Sequence, residues 1–266
     1  MTICIAALCE HRESGSKALV LCSDWRVSGH LGRADTMHKQ PGLPKDFACL
    51  VAGDPPETAS VVRTMRKKFT EAGDVDETNL TRLVKEALFE RRAERRDALA
   101  QARFGLTHDE VIKRGKDYLP QEHFIRYLND SASIRLDSEF IVAGFSPGDS
   151  FIVETTKSCD VTIVENFACI GAGEFLARAS LLHREIDTIT SFDRALYYVY
   201  EAKKAAERVT SVGESTLITV LEHDGKSRRV AFDKYDRLDA LYMEYGPRKV
   251  PRNLEIPADL LEDRGR

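Results

Sequence analysis

Four residues have types and spacings suited to acyl-transfer chemistry: Thr2, Asp24, Lys39 and Gly53. Methionine ahead of a small residue such as threonine is a normal substrate for removal, and its loss leaves Thr2 with a free α-amine. A hydroxyl and an amine on one residue form a self-contained nucleophile and base. An α-amine titrates at roughly pH 7.7–8.0, so it needs little tuning to serve as that base. Asp24-Trp25-Arg26 closes an apolar run, and strand alternation puts Asp24 and Arg26 on one face with Trp25 on the other. If that strand pairs antiparallel with the one bearing Thr2, the carboxylate reaches the terminus. Lys39 stands fourteen residues before Gly53, which ends another apolar run, Phe47 to Ala52, at a turn into a helix. A backbone N–H at such a corner can face a reacting carbonyl, as an oxyanion hole requires. Each residue also has an everyday reading: a common second-position threonine, a surface ion pair at a strand end, a solvated lysine, a turn glycine.

The elements that must position these groups follow from periodicity. Residues 2–8 and 18–22 are apolar runs separated by a polar turn, which predicts a buried β-hairpin. After Gly53-Asp54, the Pro55-Pro56 pair fits a helix start, and Val61, Met65 and Phe69 mark its buried face. A second helix begins near Asn79, with Leu80, Leu83, Val84, Ala87 and Leu88 as its stripe. The stripe then stops: residues 90–97 are polar all round and read as a solvated helix face or a partner surface. Thr107 with Glu110 reads as a capping box for a further short helix, and residues 121–129 are helical in pattern. About 45 residues, roughly 90–135, are thus helical, charged and poor in core positions. Strands return at 139–145, 151–155, 161–164 and 168–171, with a turn at Pro147-Gly148-Asp149. Helices follow from Glu174 and from a Ser191 N-cap through Val209, then a hairpin turning at Asp224-Gly225 and a last helix over 235–244. Segregated blocks of strands and helices argue an α+β architecture, with two antiparallel sheets between helix pairs. The expected organisation is one domain over 1–245, the helical insertion at about 90–135, and a loose tail over 246–266.

Composition narrows the function classes. Thirty-nine basic against 43 acidic residues give a net charge of −4, which leaves no electrostatic footprint for nucleic acid. No apolar stretch approaches a membrane span and no signal peptide precedes the first strand, so the expectation is a cytoplasmic protein. The six cysteines form no CxxC pair; Cys4, Cys22 and Cys49 read as small core hydrophobes in a reducing compartment. The seven histidines include no zinc-spaced cluster, Gly171-Ala172-Gly173 fails the dinucleotide fingerprint at Leu176, and no Walker loop exists, so no cofactor or metal is expected. His38 beside Lys39 reads as solvated.

The order Thr2-Ile3-Cys4-Ile5-Ala6, Ser23-Asp24-Trp25-Arg26 with Gly29 following, Lys39, Leu50-Val51-Ala52-Gly53-Asp54, and Ala168-Cys169-Ile170-Gly171-Ala172-Gly173 resembles proteasome β-subunits and their bacterial peptidase relatives, the N-terminal-nucleophile (Ntn) hydrolases. The resemblance covers 2 to about 222, apart from the insertion. It implies a four-layer αββα sandwich in which Thr2 Oγ attacks a carbonyl and the Thr2 amine, or a water on it, takes the proton. Lys39 would lower the relevant pKa values by its charge, Asp24 would hold Lys39, and the Gly53 N–H would stabilise the oxyanion. The expected substrate is a peptide or amide, and the expected assembly a homo-oligomer, dimer or ring; nothing points to a partner ATPase. Ala172 departs from the family's Gly-Ser-Gly corner, and Val209 and Val212 stand where its supporting Asp-x-x-Ser-Gly carries Asp and Ser. These departures motivate a second reading, a catalytically inactive scaffold subunit. A third is an amide ligase or transpeptidase on the same nucleophile.

Overall fold

The computed structural model describes residues 2–11, 14–29, 32–35, 39–44, 47–73, 75–146, 149–246, 254–255 and 261–263. Met1, His38, Lys45, the 147–148 part of the expected turn, and most of the expected tail lie outside the described residues. The chain is α+β, with two antiparallel sheets and helices packed on them.

β1 (Ile3–Glu10) and β2 (Lys17–Asp24) form the expected hairpin, with Cys4 opposite Ser23 and Glu10 opposite Lys17. Both strands are apolar on both faces. Ile3, Ile5, Ala7, Val20 and Cys22 line one core, while Cys4, Ala6, Leu8, Leu19 and Leu21 line another, the period-two division that a strand imposes. The hairpin sits inside a sheet ordered β12 (Leu261–Asp263), β11 (Ser227–Val230), β10 (Thr216–Glu222), β2, β1, β9 (Phe167–Gly171). The second sheet runs β5 (Phe47–Gly53), β6 (Ser138–Ser146), β7 (Asp149–Thr155), β8 (Val161–Val164). Residues 39–43 lie along β5, with Val51 N–H on the Lys39 carbonyl at 3.0 Å and Cys49 N–H on that of Pro41 at 3.0 Å. A small hairpin of β3 (Arg26–Gly29) and β4 (Gly32–Asp35), not anticipated in the sequence, carries the chain between Asp24 and Lys39.

Leu19 and Leu21 of the first sheet meet Leu50, Ile141 and Ile152 of the second in one apolar cluster. The far face of the first sheet is covered by α5 (Glu174–His183), α6 (Phe192–Ala206) and α7 (Tyr235–Tyr245), which contribute Leu181, Tyr197 and Leu238. The far face of the second is covered by α1 (Pro55–Glu71) and α2 (Glu77–Phe104), through Met65, Phe69, Val84 and Leu88. Ser191 occupies the N-cap position of α6 but makes no side-chain cap bond, and the helix ends at Ala206, short of Val209. Within the expected tail, Leu254 is buried in the first-sheet core and β12 pairs with β11. No helix of the described residues is long and apolar enough to cross a membrane.

The reading of residues 90–97 as a solvated face is overturned. α2 runs unbroken to Phe104, and its arginines act as pins. Arg92 donates to the Ala132 carbonyl at 3.2 Å, Arg96 to that of Ser131 at 3.2 Å, and Arg95 to that of Arg135 at 2.7 Å. α3 (His108–Tyr118), opened by the predicted Thr107–Glu110 capping box, and α4 (Gln121–Ser133) then close a small core of their own around Ala100, Val111, Phe124 and Tyr127. The insertion therefore has core positions; they face each other instead of a sheet, so no stripe facing the main core marks them.

Arg95 also links the insertion to the Gly53 corner. Its Nε lies 2.8 Å from Glu57 Oε1, close but without hydrogen-bond alignment, and its Nη2 bonds Asp137 at 2.7 Å. Glu57 is fully buried and takes the Asp137 N–H at 2.6 Å. Removing the arginine leaves that carboxylate with Arg91 at 3.8 Å as its nearest cation. Arg95→Ala is expected to lower stability by about 1–3 kcal/mol, less than a fully buried pair because Arg95 is partly exposed. A urea midpoint unchanged from the parent would return these arginines to the solvated reading.

Candidate active site

The hairpin register carries Asp24, at the end of β2, to the start of β1. Asp24 is fully buried, and a carboxylate without water must be satisfied by protein donors. Its Oδ1 accepts from the Thr2 hydroxyl, from Ile3 N–H at 3.2 Å and from Lys39 Nζ at 2.7 Å. Its Oδ2 accepts from Gly213 N–H at 2.8 Å. Lys39 is 4% exposed, so it is not the solvated lysine of the everyday reading. Its ammonium has three protons and three acceptors: Asp24 Oδ1, Thr2 Oγ1 and the carbonyl of Arg26. Thr2 Oγ thus lies between a carboxylate that it donates to and a cation that it accepts from. Such a hydroxyl is oriented on two sides, and the cation favours negative charge developing on the oxygen.

Three of the four sequence candidates are therefore brought together. Gly53 makes no hydrogen bond to them among the described residues. It occupies the corner where β5 gives way to α1, with φ +122°. A Cβ there would lie 2.1 Å from the Asp137 carbonyl oxygen, so only glycine fits. Asp54 caps α1 through Glu57 N–H at 3.0 Å and fixes the direction of the corner.

Gly171 and Gly213, which the sequence places in family-like motifs without assigning them a role, act through the backbone. Gly213 holds Asp24 with its N–H, and a side chain there would meet Arg26 Cβ at 2.8 Å and Asp24 Oδ2 at 3.1 Å. The Val212 carbonyl accepts from Arg26 at 2.9 Å. Val209 and Val212 themselves pack into the first-sheet core. On the other side, Gly171, with φ +98°, lets β9 approach Thr2; a Cβ would lie 2.4 Å from the Thr2 carbonyl oxygen, which accepts from Gly173 N–H at 3.3 Å. Ala172 is exposed at that corner.

Cys4 lies two residues from Thr2 along β1. Burial pushes its thiol well up despite the Lys39 charge, and it donates to the Val51 carbonyl at 3.4 Å. Cys22 and Cys49 are likewise pushed up to about 12 by burial. All six cysteines are buried and free; a thiol held protonated is a poor nucleophile. Among the described residues no group of three or more His, Cys, Asp or Glu is placed to hold a metal ion.

No protein-family model and no curated protein matches the chain. Solved structures do. An Anbu (Gly-1) mutant from Hyphomicrobium sp. strain MC1 aligns at TM-score 0.61 and 16% identity, covering 92% of this chain and 94% of that one. Anbu (ancestral beta-subunit) from Yersinia bercovieri aligns at TM-score 0.60 and 14% identity over 91% and 94%. A further Anbu structure from the Hyphomicrobium strain gives TM-score 0.59 and 18% identity over 91% and 94%. These identities show the fold alone. They correct the assignment to proteasome β-subunits and their bacterial peptidase relatives: the chain is similar in fold to Anbu proteins, a broad β-subunit-like relation that singles out no specific family.

Proposed function

We propose that the protein is an N-terminal threonine hydrolase that cleaves peptide or amide bonds through an acyl-enzyme on Thr2, on a four-layer αββα sandwich of the Ntn type. The observation that carries this reading is the buried Thr2–Asp24–Lys39 cluster. A surface ion pair would not need four donors on one carboxylate. The fold likeness to the Anbu structures supports the sandwich on which this reading places the cluster.

In the proposed cycle, the peptide bond before Thr2 is first cut, which turns an amide nitrogen into an amine. Thr2 Oγ attacks the substrate carbonyl carbon as its proton passes to that amine, directly or through a water. The tetrahedral oxyanion takes the Gly53 N–H. Collapse expels the leaving amine with the proton and leaves an ester on Thr2, which water hydrolyses. Lys39 stabilises the developing alkoxide; Asp24 keeps Lys39 charged and in place. The scaffold reading keeps one observation in its favour: Thr2 is only 2% exposed, so substrate access must be gained.

A chain beginning at Thr2 is expected to gain one equivalent of a peptide epoxyketone or β-lactone at Thr2, read by mass spectrometry. Thr2→Ala, and the chain still carrying Met1, are expected to gain none. Labelling at a cysteine, or no labelling of the processed chain, sinks the hydrolase reading.

The active base is the neutral amine, so kcat/KM should rise with pH through that amine's titration. The Lys39 charge disfavours the ammonium and should draw the rise below the usual pH of roughly 7.7–8.0. Lys39→Met should move the rise to higher pH and cut kcat/KM by at least about 10²-fold. Because it strips the counter-charge from a buried carboxylate, it should also cost about 3 kcal/mol of stability. Near-parental turnover in a folded Lys39→Met chain would show that another lysine serves the site.

A further inference from the structure

β9 is the last strand of its sheet, so one of its sides has no strand beside it. It pairs with β1 so that Gly171 stands opposite Ile3 and Cys169 opposite Ile5. The N–H groups of both residues are taken by carboxylates from the other sheet: Cys169 N–H by Glu154 Oε2 at 3.3 Å, and Gly171 N–H by Glu139. A strand edge kept from water needs such acceptors. The two carboxylates differ in their support. Glu154 is held by Arg178, whose Nη2 lies 2.9 and 3.0 Å from its oxygens and also donates to Glu174 at 3.1 Å and to the Cys169 carbonyl at 3.1 Å. Arg178 is thus committed. Around Glu139 the positive charge is Lys157, exposed in the turn after β7, while Glu174 of α5 and Glu154 of β7 add negative charge.

Glu139 occupies a particular place. It stands opposite Ala52 in the β5–β6 register, and Ser138 before it stands opposite Gly53. Ile141, Ala143 and Phe145 face the layer between the sheets, so Glu139 shares that face, at the end where the Gly53 corner lies. Gly171, at the other end of its hydrogen bond, is packed on Thr2: a Cβ there would lie 2.4 Å from the Thr2 carbonyl oxygen, and Gly173 donates to that same oxygen at 3.3 Å. One side chain therefore spans from the strand beside the proposed oxyanion donor to the strand that braces the proposed nucleophile. Burial pushes the Glu139 carboxyl above the usual range, Glu174 and Glu154 add to the rise, and Lys157 and the Gly171 N–H oppose it. A carboxyl raised in the fold costs stability as pH climbs from its unfolded titration to its folded one. Yet the ionised form is the stronger acceptor. The form that holds Gly171 best is the one that burial disfavours.

We infer that Glu139 is a positioning residue: by taking the Gly171 N–H it sets how far Thr2 stands from the Gly53 corner, and so lets a carbonyl attacked by Thr2 Oγ meet the Gly53 N–H. The inference rests on the hydrolase reading for its reaction, but the Glu139–Gly171 bond can be followed without turnover. Glu139 acts through Gly171, so its loss falls on kcat more than on substrate affinity; small misplacements of reacting groups are costly in rate. Protonation of Glu139 weakens the bond and loosens β9 from the second sheet. That loss adds, on the acid side, to the loss from protonating the Thr2 amine.

The experiment has two arms. In the first, the Gly171 amide proton is followed by NMR as pH is varied. It should move with a midpoint above the roughly 4.3 of a free glutamate, and stand still in Glu139→Gln. In the second, the chain beginning at Thr2 is assayed on a fluorogenic peptide amide. Glu139→Gln keeps a neutral acceptor and should lower kcat roughly two- to fivefold. Glu139→Leu keeps none and should lower it roughly 10- to 100-fold, with KM near the parental value in both. On the acid side the parent's kcat/KM should fall faster than about tenfold per pH unit, and Glu139→Gln should return it to that slope. Glu139→Gln should also raise the melting temperature at about pH 8, because it removes a buried charge; a merely structural acceptor would lose stability and activity together. A Gly171 amide that does not titrate, equal acid slopes, or a kcat unmoved in a folded Glu139→Leu chain overturns the inference while leaving the hydrolase reading standing. A titrating amide in a chain that neither turns over nor labels would uphold the bond and sink the hydrolase reading.

Discussion

The arrangement turns on one buried ion pair. Asp24 and Lys39 are both out of water, and in that setting each ion costs several kcal/mol of lost hydration unless its hydrogen-bonding capacity is met. The fold meets it from five places: the first residues of β1, the carbonyl at Arg26, the strand-like run at 39–43, the loop at Gly213, and the Thr2 hydroxyl itself. Asp24 without Lys39 would be an uncompensated buried charge. The cluster therefore does more than orient a hydroxyl. It specifies how β2, the 39–43 run and the 213 loop must meet, and it places Thr2 Oγ as a consequence.

Those meetings require backbones to come closer than side chains allow. Gly213 sits against Arg26 and Asp24, Gly171 against the Thr2 carbonyl, and Gly53 against the Asp137 carbonyl. The Gly53 contact extends the dependence outward. Asp137 is held by Glu57 from α1 and by Arg95 from α2, so the corner proposed to face the oxyanion is braced by the same helix that carries the insertion. The insertion is thus mechanically continuous with the site, although none of its side chains touches Thr2.

What was legible in the sequence follows from which forces leave a periodic trace. The β1–β2 hairpin, β5 and the start of α1 announce themselves through apolar runs and a proline pair, because burial needs those side chains. Hairpin pairing fixes Asp24 near the terminus, and the structure brings Lys39 to the same hydrogen-bonded cluster with Thr2. The β3–β4 hairpin has strands of four residues and no apolar run, and β12 spans three residues; short edge pairings rest on backbone bonds that any sequence can supply. Arg92, Arg95 and Arg96 looked like a solvated face because a long arginine that spans to a carbonyl has the same spacing as one in water. The small core around Phe124 and Tyr127 is spread over three helices, so no single helix shows a stripe facing the sheets.

The supports at 172, 209 and 212 raise a related point about evidence. Val212 enters the site through its carbonyl and its neighbour Gly213 through its N–H; exchanging the Val212 side chain leaves both atoms in place. The side chains at 209 and 212 therefore leave the clamp on Asp24 intact. The decisive chemical variable lies elsewhere, in the nitrogen of Thr2. As an amide it has no basic lone pair, and the Thr2–Asp24–Lys39 cluster is then an oriented hydroxyl with no acceptor for its proton other than a carboxylate already engaged by three further donors. As an amine it carries its own base at the distance its covalent geometry sets. On the proposed reading, the folded cluster is assembled before the reaction it serves is possible, and a single peptide-bond cleavage separates a structural ion pair from a nucleophile.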